Sequence, residues 1–320
     1  MRWPVVATLH FKSKINMNRG FLSGLIAVAA AVSMWGVQLP VAQDAFAILD
    51  LFHMTSIRFV LPALFMAALL LTLEGPRAMR YDGKFLRAST LGIIGMSCSP
   101  LLVFIGMSMS GAKHAAVIVA LQPSIAAIAL WVLRGIRPAN FTIACIATAF
   151  LGVVLVVTEG QLTVADNSRE VFGGVIVFLG GACWVAYAMG TSHLSGWSTW
   201  RITALTMIPG ALATLCLTEF LVFSDRLERP ALADLMAVKW ELAYLSLVGV
   251  VSAMLLWNFG NRRIGPQNAT LLINLLPVST FVYRAAQGHR FSPPELIGAG
   301  LVILALIANN LYVRTHPVAL

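Results

Sequence analysis

Between Phe21 and Val313, apolar runs of about 18 to 23 residues alternate with short polar connections, and each run is long enough to cross the hydrocarbon core of a bilayer as a helix. The pattern predicts ten spans, at 21–40, 54–73, 88–110, 114–133, 139–158, 171–190, 201–222, 241–260, 266–283 and 295–313. No polar stretch is long enough for a soluble domain. The expected fold class is an all-α integral membrane protein with ten transmembrane helices. One stretch interrupts the regularity: Leu271 to Arg284, LLINLLPVSTFVYR, holds Asn274 and Pro277 near its middle. In hydrocarbon a proline frees a backbone carbonyl from its donor, and an amide side chain needs a partner or water.

Composition agrees with the pattern. Of 320 residues, 59% are hydrophobic and 11% charged, with a mean hydropathy of +0.84, whereas a soluble domain carries about 25% charged residues. The net charge of +9 does not indicate nucleic acid, because Lys and Arg are spread among loops rather than gathered on one amphipathic face. It reads instead as topology. With both termini cytoplasmic, the basic residues assigned outside are Lys113, Arg169, Arg226, Arg229, Lys239, Arg284 and Arg290. The inside segments hold roughly twice as many, as the positive-inside rule requires. The last outside loop, with Arg284 and Arg290, fits that rule poorly.

The four cysteines, Cys98, Cys145, Cys183 and Cys216, fall inside apolar windows and read as packing residues, not as a disulfide framework or a zinc site. The first eighteen residues lack the apolar core of a cleavable signal, and Met17 offers a second start.

The chain also repeats itself. An offset of 154 pairs Gly95 with Gly249, Gly106 with Gly260, Gly111 with Gly265, Ala115 with Ala269 and Pro123 with Pro277. Upstream, Gly24 and Trp35 have the same spacing of eleven as Gly173 and Trp184, and SIRF around Arg58 answers TWRI around Arg201. The expected organisation is a cytoplasmic segment 1–20, a five-helix repeat 21–158, a second 171–313 and a tail 314–320. An odd number of helices per repeat makes the second enter from the opposite side, so the halves become inverted-topology repeats. Pro123 and Pro277 then mark helix breaks four and nine, facing each other across the pseudo-axis.

Ten spans in two halves, with AAVIVALQP in the fourth helix and ATLLINLLP in the ninth, resemble the EamA-type branch of the drug/metabolite transporter (DMT) superfamily. SMWG in helix one, SIRF in helix two and IGAGLVILALIANN in helix ten support the resemblance, which covers about residues 21 to 313. One departure matters. The family commonly carries a glutamate just after helices four and nine, but LRGIRP and RAAQGHRF stand there without an acid. The resemblance implies an inner-membrane carrier of small metabolites, commonly an exporter, without a bound cofactor.

Intramembrane polar and aromatic residues supply the candidate substrate-binding cavity: Trp35, Gln38, Ser97, Gln122, Trp184, Tyr187, Trp257, Asn258 and Asn274. Aromatic faces suit an apolar or ring-bearing solute and amides suit its polar groups. The competing role for each is helix–helix adhesion, worth about 0.6 to 2 kcal/mol. Arg58 and Arg201 read either as side chains snorkelling to headgroups or as paired mouth charges that draw in anions. The acids are peripheral along the chain and no histidine lies deep in a span, so movement down the solute's own gradient is expected. An intramembrane hydrolase is disfavoured, since there is no HExxH and GMSMSG at Gly106 only approaches GxSxG. The leading expectation is export of an amino acid or related amphiphile by alternating access across the inner (plasma) membrane. Uptake or exchange of a nucleoside or sugar-like solute is the alternative within transport. From another class, a non-transporting receptor or assembly protein remains. The expected partners are a small-molecule solute and the lipid bilayer, with no nucleic acid and with a homodimer left open.

Overall fold

The computed structural model describes residues 19–158, 168–265, 269 and 272–315. Its main elements are α1 (Arg19–Ala45), α2 (Leu51–Glu74), α3 (Phe85–Ser110), α4, α5 (Asn140–Thr158), α6 (Ser168–Gly190), α7 (Thr199–Phe223), α8 (Lys239–Ile264), α9 (Leu275–Ala286) and α10 (Pro293–Thr315). α4 consists of two helices, Ala112–Val119 and Gln122–Arg134, bent by 44°. Among the described residues eight helices are long and apolar enough to cross a membrane, and the bent α4 makes a ninth. α9 has 12 described residues. Residues 266–268 and 270–271 of the span expected at 266–283 lie outside the described set, as do most of the segments 1–20 and 314–320. No strand occurs among the described residues, and the protein is an all-helical, multi-pass membrane protein.

Many large apolar side chains face outward. Phe223 is 89% exposed and Leu304 66%, which in water would be a liability and in acyl chains is not. Large side chains such as Phe104, Met54 and Leu205 are buried inside as well, but the closest helix approaches are made at glycines. Helices in lipid gain nothing from hydrophobic exclusion, so close backbone approach and dispersion must supply the association.

Those close approaches follow one rule. α1 packs on α8 and α9, while α6 packs on α3 and α4; α2 packs on α7, and α5 on α10. Exchanging the halves maps each contact onto another. A Cβ on Gly260 would lie 2.6 Å from the Gly24 carbonyl oxygen and 2.5 Å from Val28, and a Cβ on Gly106 2.4 Å from the Gly173 carbonyl oxygen and 2.7 Å from Val177. The same reciprocity joins α5 to α10, where Gly152 would meet the Gly298 carbonyl oxygen at 2.6 Å and Gly298 that of Gly152 at 2.5 Å. Any side chain at these positions would separate the helices.

The breaks also correspond. Gly111 ends α3 at φ 86° and Gly265 ends α8 at φ 78°, a region that glycine enters without strain. Each returns its N–H to the helix it closes, to Met107 O at 2.7 Å and Asn261 O at 2.9 Å. Both α3 and α8 carry a π-helical segment, Ile93–Cys98 and Tyr244–Ser252. By contrast Pro40, Pro62 and Pro209 sit inside α1, α2 and α7 without dividing them.

Candidate functional site

The two π segments hold the repeat-equivalent glycines Gly95 and Gly249. A π segment inserts an extra residue into the helical repeat and re-aims the side chains around it, and such segments concentrate at functional sites. Over Gly95 lies the ring of Tyr187, so close that a Cβ would stand 2.3 Å from its Cγ. Over Gly249 lies Gln38, whose Oε1 would be 2.9 Å from a Cβ. Gln38 and Tyr187 stand three residues after Trp35 and Trp184, and therefore on the same helix face as those indoles. One aromatic and one polar side chain thus occupy equivalent places in each half.

The aromatic contacts then diverge. Trp35 meets Trp257 of α8 with ring centroids 5.3 Å apart at 44°, whereas Trp184 meets Tyr187 of its own helix at 5.3 Å. Offset pairs of this kind leave ring faces for a third group. Beside Trp257, Asn258 is 5% exposed and its Nδ2 has no hydrogen-bond partner among the described residues; on the same helix the fully buried Ser246 Oγ has none among them either. Buried polar groups of native proteins are normally satisfied, so such atoms mark places where an incoming polar group is useful.

Several candidates are engaged with other helices. Ser97 Oγ accepts from Thr214 Oγ1 at 2.8 Å, and Tyr187 Oη lies 3.2 Å from Thr206 Oγ1. With Ser56 and Thr218 Oγ1 2.9 Å apart, these contacts form a polar ladder along α7 that reaches α2, α3 and α6. The sequence reading missed this ladder, although Thr206, Thr214 and Thr218 lie at helical spacing. Gln122 is half-buried at the start of the second helix of α4, near Gly181 of α6.

Pro123 sits in the first turn of that second helix, just after the 44° bend. Pro277 is buried in the first turn of α9, and Asn274, 4% exposed, stands at its N-cap. The Ile273 carbonyl, which Pro277 cannot serve, accepts from the Leu276 N–H at 2.9 Å. α9 is pinned to α1 beside this turn: Thr280 Oγ1 donates to Gly36 O at 2.7 Å, and a Cβ on Gly36 would lie 2.4 Å from Leu276 O. The broken helix therefore abuts the residue next to Trp35.

The two arginines equivalent in sequence have different surroundings. Arg58 is 6% exposed. Its Nη2 donates to Gln38 Oε1 at 2.7 Å, its Nε has no partner among the described residues, and its guanidinium lies 5.2 Å and 5.0 Å from the ring centroids of Phe59 and Phe104. Arg201 meets Asp82 at 2.5 Å and lies 4.7 Å from the Trp197 ring centroid.

Polar clusters close both ends of the bundle, and each joins the two halves. At one end Gln43 Oε1 accepts from the Ala112 N–H at 2.7 Å and from Arg284 Nη2 at 2.8 Å. Arg284 Nη1 and Gln287 Nε2 both donate to Asp44, at 2.8 and 2.9 Å. Lys113 pairs there with Glu295. A cleft of about 430 Å³ opens among Gln43, Asp44, Lys113, Arg284 and His289. At the other end, besides Arg201 with Asp82, Lys84 Nζ donates to Ser195 O at 2.7 Å and Ser198 Oγ to Glu74 Oε1 at 2.5 Å. Tyr81 donates to Leu205 O at 3.1 Å, and burial pushes its phenol above the usual range. A second cleft, of about 560 Å³, lies among Trp200, Leu255, Leu256, Phe259, Arg262 and Arg263. None of the candidate substrate-binding residues read from the sequence lines either cleft.

Lys113, Arg229 and Arg284, all assigned outside, are paired with Glu295, Glu219 and Asp44. They also add a feature that place along the chain does not show. Glu295 is peripheral along the chain, yet it is 2% exposed, as is His114 at the start of α4.

Comparison with known proteins finds a match in each half of the chain. The chain matches the EamA-like transporter family twice, over residues 22–158 and 171–311. It is 29% identical over 298 residues to the uncharacterized transporter YrdR of Bacillus subtilis, covering 92% of each chain. To the uncharacterized transporter YyaM of the same organism it is 28% identical over 260 residues, covering 80% of this chain and 83% of that one. An uncharacterized transporter of Archaeoglobus fulgidus is 25% identical over 236 residues, or 73% and 78% of the two chains. A crystal structure superposes with a TM-score of 0.62 at 18% identity over 94% of this chain and 99% of that one, a likeness of fold.

Proposed function

From membership of the EamA-like transporter family, to which the chain belongs, we propose that it is a ten-span secondary carrier of a small organic metabolite. It works by alternating access, one half rocking against the other around a midplane site between inverted repeats. The observation that carries this reading is the pair of equivalent seats, Tyr187 over Gly95 and Gln38 over Gly249. Each lies beside a π segment, with an indole one turn away. A symmetric site of that kind can present the same solute to either end.

The end clusters complete the cycle in this reading. Asp44–Arg284 and Asp82–Arg201 join opposite halves at opposite ends, so opening toward one side breaks one pair and leaves the other. Pro123 and Pro277 supply backbone that can bend without losing a full helical ladder. The solute is an amino acid or related amphiphile, moved outward across the inner membrane. Aromatic faces take its apolar part, and Gln38, Asn258 and Asn274 its polar groups.

A stability screen of the purified protein against a metabolite library tests the reading. A solute at a hundred times its dissociation constant should stabilise by about 2.7 kcal/mol. Protein-dependent flux of that solute in proteoliposomes is the expected sequel. Binding without any flux would instead favour a receptor.

A further inference from the structure

Arg58 is a buried cation with no counterion among the described residues. It begins the third turn of α2, seven residues and about 10 Å beyond Leu51. The nearest acids along the chain are already engaged: Asp44 accepts from Arg284 and Gln287, and Asp50 caps α2 through the N–H groups of Phe52 and His53 while contacting the His53 ring. What the guanidinium has among the described residues is one neutral acceptor, Gln38, and two phenyl rings; its Nε has no partner among them. Taking a guanidinium out of water costs several kcal/mol, which a single amide and cation–π contacts offset only in part. A structural arginine is expected to bring its carboxylate with it, as Arg201 does with Asp82.

We propose that the missing partner is the solute, and that Arg58 binds its carboxylate. The inference rests on the carrier reading above and narrows it to organic anions or zwitterions. A guanidinium presents parallel N–H groups that match a carboxylate in two-point fashion, which an ammonium does not. Gln38 holds the group in place and stands one turn along α1 from Trp35, whose ring pairs with Trp257. A carboxylate at Arg58 would therefore leave the rest of a short molecule toward the two indoles. The fitting ligand class is a monocarboxylate with an apolar or ring-bearing body. In the other half the place of Gln38 is taken by Tyr187, which meets Thr206 and no arginine. The anion site is thus single and lies in the half of the bundle nearer Asp44.

The test uses matched acids and amides, so that shape is constant and only charge differs: phenylacetate with phenylacetamide, indole-3-acetate with indole-3-acetamide, and phenylalanine with phenylalaninamide. Affinities are measured by melting shift and by calorimetry on the purified full chain, for wild type, Arg58→Lys and Arg58→Gln. At least one acid should bind wild type about tenfold or more tightly than its amide, the scale of a charge-assisted pair. Arg58→Gln should erase that preference while leaving amide binding within about twofold, and Arg58→Lys should keep part of it. If Arg58→Gln does not fold stably in detergent, the acid–amide contrast in wild type and the lysine variant decide. Equal binding of acids and amides, or an undiminished preference in Arg58→Gln, would overturn the proposal. So would failure of every acid to bind while a neutral solute is carried, an outcome that leaves the carrier reading standing. Absence of flux for every library solute would overturn the carrier reading instead.

Discussion

Gln38 Oε1 lies 2.7 Å from Nη2 of Arg58, so α1 supplies the only hydrogen-bond acceptor, among the described residues, of a cation buried on α2. Removing it should cost more than one hydrogen bond, because the guanidinium would remain in place without an acceptor. Gln38→Leu is expected to lower unfolding stability by about 1 to 3 kcal/mol, with Gln38→Glu less damaging because it offers a charged acceptor. Chemical denaturation in detergent measures both. Equal stability of Gln38→Leu and wild type would show that the amide contributes nothing to holding Arg58.

The two π segments give a graded comparison. A methyl group on Gly95 would stand 2.3 Å from the buried Tyr187 ring, whereas one on Gly249 would meet the end of the Gln38 side chain at 2.9 Å. A ring fixed between helices cannot yield as a glutamine can. Gly95→Ala should therefore destabilise by about 1 to 3 kcal/mol and Gly249→Ala by less. The reverse order in measured melting temperatures would contradict the packing described.

The Lys113–Glu295 pair joins α4 to α10, with Glu295 2% and Lys113 20% exposed. Glu295→Gln should destabilise by about 1 to 3 kcal/mol, below the full figure for a buried pair because water reaches the lysine. Lys113→Met combined with Glu295→Leu should recover much of the loss, since an apolar pair removes both desolvation costs. A double-mutant cycle measures the coupling; strictly additive effects would mean that the pair does not interact.

How much of this was legible in the sequence depends on the scale of the feature. Eight of the ten expected windows fall along described helices long enough to cross a membrane and another along the bent α4, because hydropathy alone determines which segments can enter lipid; the window 266–283 lies partly outside the described residues. The offset 154 that pairs Gly106 with Gly260 also appears as contact, since both glycines serve as landing places for a neighbouring helix. What was not legible needs tertiary register. A π segment changes no composition, and nothing local in Gln38 points to an arginine 20 residues away on another helix. The pairing of Tyr187 with Gly95 and of Gln38 with Gly249 could have been anticipated, because Gln38 and Tyr187 share the 149-residue offset of Trp35 and Trp184. The burial of Glu295 could not: its partner is 182 residues away.

Asn274 separates a role in transport from one in packing. It is 4% exposed at the N-cap of α9, one turn before Pro277. The Ile273 carbonyl freed by that proline already accepts from Leu276, so the amide is not needed for it. Asn274→Leu should reduce flux at least tenfold while changing the melting temperature by no more than a few degrees. Full activity, or loss of activity together with folding, would assign the residue to packing.

The central claim is that one site is offered alternately to the two sides of the membrane, and counterflow in proteoliposomes tests it most directly. Vesicles are loaded with the solute selected by the stability screen and diluted into a trace of the labelled compound. The expected result is a transient, saturable overshoot of label inside the vesicles, driven by exit of the unlabelled solute and absent from protein-free vesicles. Entry of label that rises linearly with concentration and ignores internal loading would contradict the claim.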